Sequence, residues 1–454
     1  MHPQTINERF VDYYQSLGFK YLPGTSLLHP SIPMTFVMSA GLAEVETALA
    51  QAGGRSPEND YVLVQNCFRH FDVDRIGHSD LHLSLFQMPG AFSFGHINRR
   101  VTVQHMWNFS TRDMMIDPSC LWATYFAGGQ ISGHFFEKDI DTFQAWLDIG
   151  LPEENIIGLG VDHNFWKQGG GIDGQENSRK CGPNTELFFD RGPQLRCGPG
   201  CRPGCRCGRF VEFANSLFIF SEIDAETNTL SLMTEPFTET VVGTERVAMI
   251  LADKATVYEI ETVKPLVDKL RDLYSGHKAD VPFDALENER VLVDHLRALV
   301  FLVADGAPPP GKGGRRRLMR ILMRRALSQM EILRIDPSRC LLPLIDLVIT
   351  LAASQDLDLA RGRDTLLAYL ASERQVFERT LSRGYRQIDR LLARNNTSGL
   401  NGQELVKLVK QFGIPVSLLR VVLTRKGLEF KEHEYAKAVE RWRSNLPAST
   451  ASSR

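Results

Sequence analysis

The pattern of apolar residues changes character once along this chain, near residue 254, and that change constrains the fold more than any other feature. Before it, short apolar runs alternate with turn residues. YVLVQNCF (61–68), LHLSLFQM (81–88) and AFSFG (91–95) predict antiparallel strands, as do FVEFANSLFIFSEI (210–223) and TLSLMT (229–234), with Asn228 near the turn between the last two. Helices frame these strands. Phe10, Tyr13, Tyr14 and Leu17 recur at helical spacing over residues 5–17, with Gly18 as the stop, and residues 245–252 begin a second helix. Past 254 long amphipathic stretches take over, at 291–304, 315–333, 341–353, 364–392 and 404–412, broken by the loop GAPPPGKGG at 306–314. The expected class is α+β. An antiparallel sheet flanked by helices fills 1–254, an all-helical domain fills 255–446, and a small, polar tail at 447–454 is expected to fray.

Composition bounds the function. At roughly 100–200 residues per domain, 454 residues suggest about two to four domains. Hydrophobic residues at 43% and charged residues at 23% exclude a wholly disordered or fibrous chain. No apolar run approaches the ~18–20 residues of a membrane span. Residues 1–10 hold Asn7, Glu8 and Arg9 and no signal-peptide core, so a cytoplasmic location is the expectation. With 52 Lys+Arg against 54 Asp+Glu, a globally basic coat is excluded, but a local basic patch is not. Such a patch exists. Lys312, Arg315, Arg316, Arg317, Arg320, Arg324 and Arg325 lie within fourteen residues. An isolated run of this kind is usually a solvated helix face; its other reading is contact with RNA phosphates.

Eight cysteines are present, and Cys197, Cys201, Cys205 and Cys207 fall within eleven residues, in LRCGPGCRPGCRCGRF. In a chain of this length without an export signal, such clustering points to metal before disulfide. The glycines and prolines between the thiols allow a tight wrap, and four thiolates suit a closed, tetrahedral, structural Zn²⁺. Four reduced surface thiols are the alternative.

Seven further segments carry a family resemblance: QNCFRHFDVDRIGHSDLHLSLFQM (65–88), DHNFWKQGG (162–170), CGPNTELFFDRG (181–192), EFANSLF (212–218), TETVVGTER (238–246), DHLRALVFLVADGAPP (294–309) and GQELVKLVKQFGIP (402–415). In this order they resemble the N-terminal half of alanyl-tRNA synthetases, which are class II aminoacyl-tRNA synthetases. The short connection after Arg69 and the cysteine cluster look like the archaeal branch. The resemblance runs from about residue 5 to about 443. It implies a catalytic domain over 1–254 with a Cys-rich insertion at 196–208, and a helical tRNA-recognition domain over 255–446. ATP and Mg²⁺ are the implied cofactors. A small amino acid and a tRNA acceptor stem, or another acceptor, are the implied partners, and the chain is a monomer or a homodimer.

The implied roles fit the chemistry of amino-acid activation. That step is an in-line displacement at the α-phosphate of ATP. It needs cations on the phosphates more than acid–base help. Arg69 matches the motif 2 arginine on the α-phosphate, and Arg246 the motif 3 arginine on the far phosphate. His82 and Phe86 match a phosphate contact and an adenine-stacking ring. Taken singly, an arginine in a strand-rich region is more often a surface ion pair, and a phenylalanine in an apolar strand is more often core. Trp166 matches the tryptophan walling the amino-acid pocket, and Asn215 an asparagine lining it.

Two places depart from the family. Its motif 3 begins D-T-G, the Asp holding the substrate ammonium; here Glu239-Thr240-Val241 stands instead. The charge survives on a longer arm, while the added isopropyl shrinks the pocket or forces a shift. Alanine, glycine and another small amino acid all stay open. The positions that read an acceptor-stem G·U pair, Asn and Asp in the family, align with Lys312 and Ser417, and Lys offers no acceptor to a base amino group. Lys312, Arg315, Arg316, Arg320, Arg324 and Ser417 are the implied RNA contacts. The family's editing domain is expected to be missing; His78 and His82 form an H-x3-H pair inside motif 2 and not an editing motif. Three readings follow. The chain charges tRNA with a small amino acid, alanine first, or it is a specialised paralogue that adenylates the amino acid for a non-tRNA acceptor, or it is a non-catalytic RNA-binding relic.

Overall fold

The computed structural model describes residues 1–32, 34–39, 41–51, 60–168, 178–274, 285–355, 357–394 and 399–444. The frayed tail expected at 447–454 and the last two glycines of DHNFWKQGG lie outside the described residues. The chain forms two compact units, Met1–Pro265 and Leu266–Arg454.

The first unit is built on a nine-stranded sheet. In chain order its strands are β1 (Lys20–Tyr21), β2 (Tyr61–Phe68), β3 (Leu85–Phe94), β4 (Leu121–Phe126), β7 (Ile156–Leu159), β8 (Phe165–Lys167), β9 (Ser178–Asp190), β10 (Phe210–Asp224) and β11 (Leu230–Val242), while β5 (Gly129–Ile131) and β6 (His134–Phe136) form a separate hairpin. The spatial order is β1-β2-β3-β11-β10-β9-β4-β7, with β8 on β9. The expected antiparallel sheet is found from β2 to β4, but both ends are parallel, β1 on β2 and β7 on β4, so the sheet is mixed.

Two runs expected as separate strands are one. LFQM, the second half of LHLSLFQM, and AFSF merge into β3 through Pro89, while residues 81–84 lie outside the strand. The β11 ladder stops at Gly90–Val241, so Pro89 pairs on one side only, where a missing N–H is tolerated. Cys181 is buried within β9, opposite Ser221 and Lys167, although CGPN reads by composition as a turn. Its neighbour Gly182 explains why. A Cβ there would lie 1.9 Å from the Phe218 carbonyl oxygen, so only glycine lets β9 and β10 approach.

Helices α1 (Pro3–Ser16), α2 (Leu42–Gln51), α3 (Arg99–Asn108), α4 (Ile140–Asp148), α5 (Val161–Asn164) and α6 (Thr244–Leu251) belong to this unit. Helix α1 starts on the His2 cap with Pro3 in its first turn and ends before Gly18, whose φ is +96°. It buries Ile6, Phe10 and Tyr14, one face at four-residue spacing. A buried polar chain then ties α1, β3 and α6 together. Asn7 donates to Gln87 (2.9 Å), Thr244 donates to Asn7 (2.6 Å), and the Gln87 N–H donates to the Glu245 carboxylate (3.1 Å). Such fully satisfied networks specify one arrangement, and this one places the residue after Glu245, Arg246.

The second unit is helical among the described residues: α7 (Lys264–Tyr274) at its start, then α8 (Ala285–Ala304), α9 (Gly314–Ile332), α10 (Pro337–Ala353), α11 (Arg363–Arg394), α12 (Gly402–Lys410), α13 (Val416–Arg425) and α14 (Glu432–Ser444). Helix α8 is buried on every side from Asn288 to Ala304 and contacts α9, α10 and α11, so it is the axis of the unit. A capping box of Asn401 and Glu404 starts α12. No helix is long and apolar enough to cross a membrane among the described residues.

Candidate active site

Direct antiparallel partners point to the same face, and so do residues two apart on one strand. That rule assembles the site. Phe86, Met88 and Gly90 alternate along β3. Gly90 faces Val241, Phe92 faces Glu239, Val241 faces Asn215, and Glu239 faces Leu217. One face of three central strands therefore carries Phe86, Met88, Glu239, Val241, Asn215 and Leu217, with Gly90 leaving space between. Trp166 joins from β8, which is paired to Gly182 of β9.

These side chains line one concave pocket, of the kind that small-molecule sites occupy. All eight residues read from the sequence as catalytic, nucleotide-binding or substrate-binding are in its lining: Arg69, His82, Phe86, Trp166, Asn215, Glu239, Val241 and Arg246.

Arg69 follows β2 directly. Its Nε donates to the Met38 carbonyl at 3.0 Å, and its guanidinium lies over the Phe86 ring, 5.1 Å from the centroid. Arg246 reaches in from α6. It donates to the Glu212 carbonyl at 2.8 Å and to the Glu212 carboxylate at 3.2 Å. The two cations thus stand preformed at the pocket, one held by a backbone carbonyl and one by an acid.

His82 differs from expectation in one respect. Its Nε2 lies 3.2 Å from an Arg75 nitrogen and its Nδ1 lies 2.6 Å from the Ser79 hydroxyl. Arginine only donates, so Nε2 accepts and the proton sits on Nδ1. Burial, then Arg246, Arg75 and Arg69, lower its pKa to about 4. His82 is neutral at pH 7, so any phosphate contact it makes is a hydrogen bond and not an ion pair.

Glu239 is only 3% exposed. Burial pushes its carboxyl up to about 7, Arg69 opposes the rise, and Glu46 adds to it. A buried carboxylate without a fixed cation of its own is what an incoming ammonium would satisfy.

Two acids were missed by motif reading. A register shift between Glu212 and Ala214 turns Glu212 onto the pocket face. Glu186, facing Asn215 from β9, is held well above the ordinary carboxyl range by burial and by Glu212 beside it. The signal was available: each is a carboxylate inside an apolar strand run, where an unpaired charge is costly. The crowded carboxylate oxygens beside Arg246 form a donor set that suits a hard divalent ion such as Mg²⁺.

The cysteine-rich insertion sits between the end of β9 and the start of β10. Arg209 pairs with Asp190 through two bonds of 2.7 and 2.5 Å and closes its base. The sulfurs of Cys197, Cys201 and Cys205 lie within 4.8 Å of one another, and Cys207 lies 3.6 Å from Cys201. The four thiols therefore gather in one place, with Cys201 and Cys207 packed on Phe188, Phe210 and Trp122. A backbone hydrogen bond at Cys197 draws the Cys201 thiol down to about 7. The set fits a closed tetrahedral thiolate site.

In the helical unit the expected RNA contacts divide. Lys312 and Arg316 are exposed, Arg315 and Arg320 are half-buried, and Ser417 is half-buried in the first turn of α13. Arg324 departs from the expectation. It donates to Glu373 at 2.5 Å, a carboxylate only 6% exposed, so it is committed to helix packing between α9 and α11.

Comparison with known proteins identifies the family. The family model described as tRNA synthetases class II (A) matches residues 5–453. An alanine–tRNA ligase of Acetivibrio thermocellus is 28% identical over 95% of this chain and 47% of its own length. One of Desulforudis audaxviator is 30% identical over 97% of this chain and 48% of its own. This chain thus spans about half the length of the curated relatives it matches. Among solved structures, apo histidyl-tRNA synthetase of S. aureus covers 60% of this chain and 75% of its own at 11% identity, with a TM-score of 0.34, too low to bear on the site. With a family model that runs through every strand of the pocket and the helices beyond it, the chain belongs to the class II (A) tRNA synthetases.

Proposed function

We propose that this chain activates a small amino acid with ATP and transfers it to tRNA. The observation that carries the reading is the meeting of two preformed arginines, an aromatic ring and a buried carboxylate in one pocket. The amino-acid carboxylate attacks the α-phosphorus, a P–O bond forms, and pyrophosphate leaves with its bonding electrons. Arg69 stabilises charge on the α-phosphate, Arg246 exchanges Glu212 for the far phosphate, and Phe86 offers its ring to adenine. His82 is neutral and has one N–H to offer a phosphate, on Nδ1, which would exchange the Ser79 hydroxyl for it. Glu239 takes the substrate ammonium. Trp166, Asn215 and Val241 bound the side chain, and their bulk favours alanine or a smaller residue. A tRNA terminal hydroxyl then attacks the carbonyl carbon and AMP leaves. Mg²⁺ bound with ATP would neutralise its phosphates, and Glu212 and Glu186 are the carboxylates placed to hold it.

The helical unit is the proposed tRNA-recognition domain, with Lys312, Arg315, Arg316 and Arg320 set towards phosphates. A specialised ligase that passes the amino acid to another acceptor is the second reading. It is favoured by Val241 in the pocket and by Lys312 and Ser417 at the base-reading positions. The deciding experiment is ATP–pyrophosphate exchange over a panel of small amino acids without RNA, followed by charging of total tRNA. We expect exchange with alanine and RNA-dependent product. Exchange without any charging would transfer the weight to the specialised ligase, and no exchange at all would end both.

The cysteine insertion would hold a structural Zn²⁺ through Cys197, Cys201, Cys205 and Cys207. Purified protein is expected to carry about one zinc per chain by atomic spectroscopy, and Cys201→Ser to lose it along with thermal stability. A metal-free preparation with full exchange activity and an unchanged Tm would dispose of this role.

A further inference from the structure

Helix α11 carries a cationic stripe outside every motif discussed above. Arg379, Arg383, Arg386, Arg390 and Arg394 succeed one another at intervals of four, three, four and four residues, and all five are exposed. At about 100° and 1.5 Å per residue, they fall within a sector of about 80° and cover about 22 Å of the axis. Leu370, Phe377, Leu381, Gly384 and Ile388, which pack α11 into its unit, lie on the far side of the helix.

The charge on this stripe is unbalanced. Like charges at these spacings weaken a helix, yet no acid falls within the sector that the arginines occupy. Two acids flank the stripe, and both face other cations: Glu378 takes Arg374 at 2.6 Å and Asp389 takes Lys426 at 2.8 Å. Arg420 of the same unit is likewise matched, to Glu432 at 2.7 Å. Among the described residues, the five stripe arginines have no carboxylate partner. Arg386 donates Nε to the Ser382 carbonyl and remains exposed.

A row of outward guanidinium forks matches a row of phosphates, which they can bind bidentately. A membrane-surface helix would need its apolar face free for lipid, and here that face is buried. We propose that the outer stripe of α11 binds the sugar–phosphate backbone of an RNA, by charge and not by base identity. The choice of RNA over other polyanions rests on the tRNA reading above. The surface is distinct from the 312–325 run, where Arg324 is already engaged with Glu373.

The test uses the full chain and the triple variant R379Q/R383Q/R386Q, with unfractionated tRNA as probe over a salt series. Each phosphate contact contributes about 0.7–0.9 to the slope of log affinity against log salt. The triple variant should therefore be shallower by about 2–3 and bind at least tenfold more weakly at low salt. ATP–pyrophosphate exchange without RNA should be unchanged, because none of the three lines the pocket. R379K/R383K/R386K keeps the charges and should keep the slope. An unchanged slope in the glutamine triple, with exchange intact, would overturn the proposal. So would loss of binding to phosphatidylserine vesicles in place of tRNA. Absence of exchange in the wild type, together with the shallower slope in the triple, would remove the ligase reading and leave the stripe standing.

Discussion

Arg69→Ala is expected to lower the kcat of amino-acid-dependent ATP–pyrophosphate exchange by about 100- to 1,000-fold, the usual cost of one preorganised donor to a developing charge. The size of the effect follows from how Arg69 is held. The Met38 carbonyl and the Phe86 ring fix its guanidinium before substrate arrives, so little reorganisation is needed in the transition state. Arg69→Lys should recover only part of the loss, because an ammonium has the charge without the planar fork. A second consequence separates this variant from a merely unstable one. Arg69 is the cation that holds the Glu239 carboxyl down, so its removal should also raise KM for the amino acid at pH 7. Arg246→Ala is a less clean test, since it leaves Glu212 and Glu186 crowded with no cation between them and α6. Exchange within about threefold of wild type in a folded Arg69→Ala protein would sink the assigned role.

Much of the pocket was legible because strand alternation and family motifs point at the same residues. Phe86, Glu239, Val241 and Asn215 each sit in an apolar run where period two alone decides which side chains share a face. What was not legible has local causes. CGPN reads as a turn by composition, yet it is the middle of β9, because Gly182 is there for close backbone approach and not for bending. Glu212 escaped because a bulge reverses its side, and a one-residue shift cannot be counted from sequence. The neutral state of His82 depends first on burial and then on three arginines brought together from the end of β2, the loop before β3, and α6. Arg324 and Arg383 look alike in sequence, and only the packing of α9 on α11 turns one to Glu373 and leaves the other outside.

The largest pH effect should come from Glu239. Its carboxyl titrates at about 7, against an ordinary 4.5, so at neutral pH about half the free protein has it ionised. An amino-acid ammonium is held by the carboxylate and not by the acid. KM for the amino acid should therefore fall as pH rises, by about tenfold from pH 6 to pH 8, where the ionised fraction climbs through the same range. Glu239→Gln keeps the shape and removes the charge. It should raise KM by at least about 30-fold, the order expected when one partner of a buried ion pair is lost, and flatten the pH dependence. Stability should move the other way. A carboxyl whose pKa is raised by folding binds protons more tightly in the native state, so its ionisation erodes stability as pH climbs from 4.5 to about 7. At about 1.4 kcal/mol per pH unit, the full erosion is roughly 3 kcal/mol. Glu239→Gln is spared it and should melt higher than wild type at pH 8. A variant that gains Tm while losing substrate affinity would show that Glu239 is kept for binding and against stability. A wild-type KM that is flat from pH 6 to 8, or a glutamine variant with ordinary KM, would mean that the ammonium is held elsewhere in the pocket.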